Sequence, residues 1–271
     1  GGQAGDPELE SAIQYVQSDD TPAVEVAFSE DVSNFASNYD LYVEGEGQLS
    51  GSQIQSDSEA QGRAVIELDE SYSSAMTLEL DSGITDPDGN ALVSDDTGNT
   101  SVQFAPTSVT AGGSTNAYQG ANVSIVASAS GTGVELQGTD SGNNYFFDGS
   151  TGTNSRIFVL STADREAGDY EADIDGEGTA DITVRGLGLS VGIDDRNVTN
   201  LQSLEGTVEA RAGSRPVRLE FLDEDGTPVD EVDDQIVDLS GQGTHEFSYN
   251  LSSLNVETGE YIVRATDTTS G

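Results

Sequence analysis

Short apolar runs with a period of two recur along the whole of this chain. In Ala23–Phe28 (AVEVAF), Val24, Val26 and Phe28 point one way while Glu25 and Ala27 point the other. The same alternation appears in VIEL at 65–68, TLEL at Thr77–Leu80 and VRLEFL at Val217–Leu222. In EFSYNL it puts Phe247, Tyr249 and Leu251 on one inner face. Turn-forming clusters (DPDGN, TGN, DIDGEG, DEDGTP) separate such runs, with turn signals about every eight to twelve residues. No segment keeps a helical period beyond about one turn, and DREAG is compatible with a single one. The pattern specifies an all-β protein built from antiparallel sandwiches.

The charge balance sets the conditions under which such sandwiches stay folded. Fifty acidic residues face nine basic ones, a formal net charge of −41, and every basic residue is arginine. Like charge at that density repels a compact state unless it is screened. At 1 M salt the Debye length falls to roughly 3 Å, and scattered surface carboxylates then barely interact. Disorder is the competing outcome for a chain of low hydrophobicity and high charge. Here the carboxylates are interspersed with alternating apolar runs, which favours a folded, salt-adapted protein. Nucleic acid and anionic membranes are disfavoured as partners by the same charge, whereas cations are favoured.

Other classes fall to missing residues. With no cysteine there are no disulfides, thiolate metal sites or cysteine nucleophiles, and a lone histidine, His245, rules out a histidine-rich zinc site. No G-x-S-x-G elbow near a hydrophobic strand accompanies it, so it reads as a strand-edge residue. Fifty carboxylates guarantee some pairs at glycosidase spacing without meaning, and no tryptophan is present to line a sugar cleft. The expectation is therefore no enzyme and no required cofactor. No apolar run approaches a transmembrane span and no signal peptide is visible. A chain starting at Gly1 is expected to be a mature or excised portion of its protein.

One phrase occurs twice. LSTADREAGDYEADI runs from Leu160 to Ile174, and LSSLNVETGEYIVRA runs from Leu251 to Ala265, an offset of 91 residues. Both place a leucine strand end, a polar loop, a glycine (Gly168, Gly259) and a tyrosine (Tyr170, Tyr261) at the same offsets. The glycine is read as a tight bend. The tyrosine resembles the tyrosine corner of Greek-key sandwiches, its ring buried and its hydroxyl on nearby backbone. The repeat marks architecture and predicts three tandem Ig-like antiparallel β-sandwich domains, over residues 1–106, 107–187 and 188–271.

The first unit carries VEVAFSEDV, ITDPDGNAL and a closing VQF strand. Over Thr21–Ala105 these resemble the Ig-like domain of bacterial S-layer proteins. AYQGANVSIVA, GDYEADIDGEGTADITVRGLGLSV and GEYIVRATD, between Ser108 and Asp267, look like the sandwich domains of haloarchaeal surface glycoproteins. That resemblance implies an extracellular, cell-surface role in a coat or array of N-glycosylated chains. The threonine-rich stalk and apolar C-terminal anchor of such proteins do not appear in this sequence.

Several residues are candidates for specific chemistry. Asp86, Asp88 and Asn90 set three oxygen-bearing side chains at alternate positions of a turn, as Ca2+ or Mg2+ would require; a plain hairpin turn is the alternative. Asp173–Asp175–Glu177, Asp223–Asp225 and Asp233–Asp234 are weaker clusters. Sequons stand at Asn99, Asn122, Asn197 and Asn250. Asn197 and Asn99 rank first, because Asn122 and Asn250 lie in alternating strands. Asn143–Phe147 (NNYFF) reads either as a contact patch or as a buried strand. Arg211, Arg215 and Arg218 could meet an acidic face of another subunit or pair locally. The leading expectation is self-association into an S-layer or related array, the chain having no membrane span of its own. Alternatives are a filament in which Gly1–Pro7 and the following strand are donated to a neighbour, or an adhesion or carbohydrate-binding module.

Overall fold

The computed structural model describes residues 5–141, 143–199, 202–213, 215–229, 232–251 and 259–268. Every extended element among them is a β-strand, and a single 3-10 turn lies at Phe35–Ser37 in the first sandwich. DREAG holds no helical turn: Arg165 N–H closes a simple turn onto Thr162 O, and strand already begins at Gly168. The chain divides into two compact units, Gly1–Ala117 with Ala121–Val184, and Tyr118–Gly120 with Arg185–Gly271.

The first unit opens with β1 (Leu9–Val16), β2 (Pro22–Phe28), β3 (Tyr39–Val43), β4 (Gly47–Gln48), β5 (Ile54–Ala60), β6 (Arg63–Leu68), β7 (Met76–Leu80) and β8 (Gly98–Phe104). Their hydrogen-bonded order is β4-β3-β7-β8-β1-β2-β6-β5. All neighbours pair antiparallel except β1 and β8, which run parallel over Ile13↔Gln103 and Gln14↔Phe104. That short parallel join lets the sheet fold over, so β1-β2-β6-β5 faces β4-β3-β7-β8 in the strand order of an immunoglobulin-type sandwich. Val24, Val26 and Phe28 meet Ile66, Leu41 and Leu78 in one core. The alternation read from the sequence places these residues correctly.

The second sandwich follows after two residues, Ala105 and Pro106. It comprises β9 (Thr107–Val109), β10 (Ser114–Tyr118), β11 (Asn122–Val126), β12 (Gly133–Gly138), β13 (Phe146–Ser150), β14 (Ile157–Ser161), β15 (Gly168–Ile174) and β16 (Gly178–Arg185). Sheets β10-β16-β15-β12-β13 and β14-β11-β9 enclose a core around Ile125, Leu136, Tyr170 and Ile182. The edge strand β9 pairs parallel with β11, a departure from a wholly antiparallel sandwich.

The last strands are β17 (Ser190–Ile193), β18 (Ser203–Glu209), β19 (Pro216–Asp223), β20 (Gln235–Asp238), β21 (Thr244–Asn250) and β22 (Tyr261–Asp267). They form two three-stranded sheets, β17-β18-β21 and β20-β19-β22, around Val208, Leu219, Phe221 and Phe247. The strand proposed for donation is used in its own sandwich: β1 lies between β2 and β8. Residues 1–4 of that segment lie outside the described residues.

Candidate functional site

The alternation of β2 sends Glu25 and Ala27 away from the first core, which on an exposed sheet would mean into water. The structure buries that outer face. Ile13, Tyr15 and Ala23 pack against Ala105 and Ile157, with Val65, Val126 and Val159 at the margin. Two sandwiches thus share a second apolar layer, and the six-residue run Ala23–Phe28 is buried on both sides. Burying one such aliphatic side chain contributes about 1.5–3 kcal/mol, so the layer is a substantial bond between the sandwiches.

Glu25 stands inside this seam with 1% of its surface exposed. One of its oxygens accepts from Ser155 Oγ at 2.7 Å and from Arg156 N–H at 3.1 Å. The other lies 3.7 Å from Arg63 Nη1. Burial pushes its pKa up, against the opposing pull of the Ser155 hydrogen bond and the Arg63 and Arg156 charges. Burial, with Glu25 adding to it, also raises the neighbouring Tyr15 hydroxyl to about 12.

The rim of the seam is hydrogen-bonded backbone. Asn154 Nδ2 donates to Phe28 O at 2.5 Å, and Asn154 N–H reaches Glu10 Oε2 at 3.3 Å. Val16 N–H donates to Ser108 Oγ at 3.2 Å, and Asn122 Nδ2 donates to Phe104 O at 2.9 Å. Gly62 sits at φ +71° beside Asn154, where an added Cβ would lie 2.5 Å from Asn154 Nδ2 and 2.6 Å from Glu30 O. Only glycine suits that conformation and that approach. The arrangement can do one thing well: hold two sandwiches in a fixed relation. Its signal in the sequence was faint, a strand with Glu25 in the middle and a two-residue linker.

The 86–90 turn is closed by its own side chains. Asp86 accepts from Asn90 N–H at 2.7 Å and from Asn90 Nδ2 at 2.8 Å. Asn90 therefore turns its amide nitrogen, not an oxygen, toward Asp86, and Asp88 is exposed. Burial acts to raise the Asp86 pKa, but the Asn90 and backbone hydrogen bonds outweigh it and the net shift is downward. Among the described residues no group of three or more His, Cys, Asp or Glu side chains is placed to hold a metal ion. Glu177 instead caps Ser128, and Asp223 caps the Asp225–Thr227 turn.

The sequons differ in accessibility. Asn99 and Asn197 are exposed, the latter in a loop. Asn250 is exposed at the end of β21, but its Ser252 lies outside the described residues. Asn122 is half-buried with its amide nitrogen engaged, and Ser124 of the same sequon is fully buried. Tyr170 is 2% exposed and its hydroxyl donates to Glu166 O at 2.8 Å. Tyr261 is half-buried and stacks on Phe221, with ring centres 5.0 Å apart. The loop before it, 252–258, lies outside the described residues. The two glycines differ as well. At Gly168 a Cβ would come within 2.4 Å of Asp140 Oδ2, whereas at Gly259 it would meet only the Tyr261 ring, 3.6 Å away.

Three features from the sequence fall elsewhere. Phe146 and Phe147 are 60% and 41% exposed on the edge strand β13. Arg215 pairs with the buried Asp267, while Arg218 is exposed and makes no salt bridge among the described residues. His245 Nδ1 lies 3.1 Å from Asp238 O, in β21.

Fold and surface together define a class: tandem immunoglobulin-like sandwiches with an overwhelmingly acidic exterior. The resemblance read from the sequence is borne out. The chain is 41% identical over 253 residues to a cell surface glycoprotein of Haloferax gibbonsii, covering 93% of this chain and 28% of that protein. It is 25% identical over 281 residues to cell surface glycoprotein 1 of Haloarcula hispanica, covering 96% of this chain and 30% of that protein. The chain thus spans less than a third of either relative. No family profile matches it. Solved structures that it resembles include a tandem from titin, at 11% identity and TM-score 0.32, covering 96% of this chain and 94% of that one. Another is the S-layer protein rSbsC, at 14% identity and TM-score 0.29, covering 90% of this chain and 40% of that one. Superposition at that level assigns no function.

Proposed function

We propose that this chain is a structural segment of a haloarchaeal cell-surface glycoprotein, lying outside the cell and assembling into an S-layer or related surface array. The observation that carries the reading is the seam: Glu25 and a shared apolar layer tie two sandwiches into one compact unit, as a load-bearing segment of a coat requires. Its likeness to cell surface glycoproteins over nearly the whole chain supports the location. The surface chemistry fits brine, where carboxylates at a net charge of −41 are screened within a few ångströms. Asn197 and Asn99 are the glycan acceptors in this reading. Divalent cations act between acidic faces of neighbouring molecules and not at a chelating turn. No chemistry is assigned to the chain.

Imaging the native surface of a cell that makes this protein tests the reading. An ordered lattice containing the chain is expected. A thread of donated strands would replace the array by a filament, and tight, selective binding to a glycan array would favour an adhesion module.

A further inference from the structure

Two outward sheet faces carry different chemistry. On the five-stranded sheet of the second sandwich, Glu135 of β12 is paired directly with Asp148 of β13 on one side and Asp173 of β15 on the other. Glu171 of β15 is paired with Asp181 of β16. All five point away from the core, because their neighbours Leu136, Ala172 and Ile182 fill it. Carboxylates set directly opposite across strands repel at about 5 Å, so the isolated face is under strain. Phe146, 60% exposed, stands on the same face at its edge, opposite Gln137.

On the β20-β19-β22 sheet the outward face is different. Register sets Arg218 between Ile236 and Thr266, Glu220 against Arg264, and Leu222 against Ile262. Ile236 and Ile262 are 66% and 46% exposed. Arg264 grips Glu220 through two hydrogen bonds of 2.8 and 2.9 Å, which leaves Arg218 as positive charge without a salt bridge among the described residues. Asp238, exposed two residues along from Ile236 on the same face, and Glu220 balance the two arginines, so the face is neutral as a whole. In a chain of net charge −41 a neutral sheet face with two exposed isoleucines is a local exception.

We infer that the Arg218–Ile236–Ile262 face of one copy docks on the Glu135–Asp173–Phe146 face of a second copy. The Arg218 guanidinium selects the partner face, for a second copy offers carboxylates in registered rows that it can bridge. Molar salt abolishes attraction at a distance but not contact pairs, and apolar contact between Phe146 and the isoleucines survives it. The two faces are different surfaces, so the contact is heterologous and each copy retains one open face of each kind for a further neighbour. Strands about 4.8 Å apart and about seven residues long at about 3.4 Å give a three-stranded face of roughly 300 Å². That is below the roughly 800 Å² per partner of a stable complex, so a single contact is weak and repetition supplies strength. The inference rests on the array reading and specifies one of its contacts.

The test uses the 271-residue chain in molar sodium chloride, followed by sedimentation velocity up to near-millimolar concentration. One variant carries Arg218→Glu with Ile236→Glu, and a second carries Phe146→Ser, Glu135→Gln and Asp173→Asn. All are exposed positions, and unchanged near-ultraviolet circular dichroism checks the fold. Each variant alone should associate at least tenfold more weakly than wild type. Mixed together, they should form a 1:1 dimer that does not grow, because each supplies one intact face. Wild-type association that neither variant weakens overturns the inference and leaves the array reading standing. A wild-type chain that stays monomeric also overturns it, and the array reading is then judged by surface imaging alone.

Discussion

Replacing Glu25 by alanine should loosen the first compact unit far more than replacing it by glutamine. Alanine leaves the Arg156 N–H facing a dry seam with no acceptor, at about 1–3 kcal/mol, and turns the Ser155 hydroxyl onto its remaining acceptor, Ile157 O at 3.1 Å, with the loss of about 1 kcal/mol. Arg63 retains 18% exposure and lies 3.7 Å away, so its loss of a partner adds little. The total is about 3 kcal/mol, the lower end for breaking a buried ionic contact from one side. For a unit of this size that lowers Tm by roughly 6–12 °C. Glutamine keeps an acceptor oxygen and removes the cost of burying a charge, so Glu25→Gln should stay within about 1 kcal/mol of wild type. The pH dependence has a definite sign. The folded-state pKa of Glu25 is raised above its ordinary 4.5, so its burial penalty is absent below about 4.5. The penalty grows as pH rises through the raised value, and Glu25→Gln should gain on wild type across that window. Calorimetry in molar salt at a series of pH values measures all three proteins. If alanine proves no worse than glutamine, the hydrogen-bonded seam is not what holds the sandwiches, and the reasoning fails.

Tyr170→Phe removes only the bond to Glu166 O and should cost about 1 kcal/mol, whereas Tyr170→Ala opens a cavity and should cost about 3–5 kcal/mol by the same calorimetry. Arg215→Ala takes the guanidinium from Asp267, which is buried, and should destabilise the C-terminal sandwich by about 3 kcal/mol, read from its own unfolding transition. Peptide mapping of protein from its native cell should find glycan at Asn197 and Asn99 and none at Asn122; glycan on Asn122 would mean that the acceptor is modified before β11 folds. Gly62→Ala should cost at least 1 kcal/mol, because neither the φ of +71° nor the Asn154 contact admits a side chain; a neutral result in thermal unfolding would contradict that geometry.

The period of two determined the strands. Val24, Val26 and Phe28 face the first core as the alternation required, and so do Phe247, Tyr249 and Leu251 in the last sandwich. The acidic excess determined the solvent in which the chain folds, and the short motifs around FSEDV and GDYEADI pointed to its relatives. These properties are local: they follow from the residue at each position and its neighbours in the chain. The other face of β2 was a different matter. An alternating strand states which side is apolar, but Glu25 on the polar side is equally compatible with water and with a covered seam. Only the packing of Ile157, Ser155 and Arg156 against it, 130 residues later in the chain, decided for the seam. The same holds for the turn at Asp86, whose ligand-like spacing was legible while the direction of the Asn90 amide was not. Carboxylate rows such as Glu135, Asp148 and Asp173 likewise exist only once register has brought three strands together. Composition scattered the charges through the chain; tertiary structure decided which of them became neighbours, because that depends on pairing across long sequence separations that no local pattern encodes.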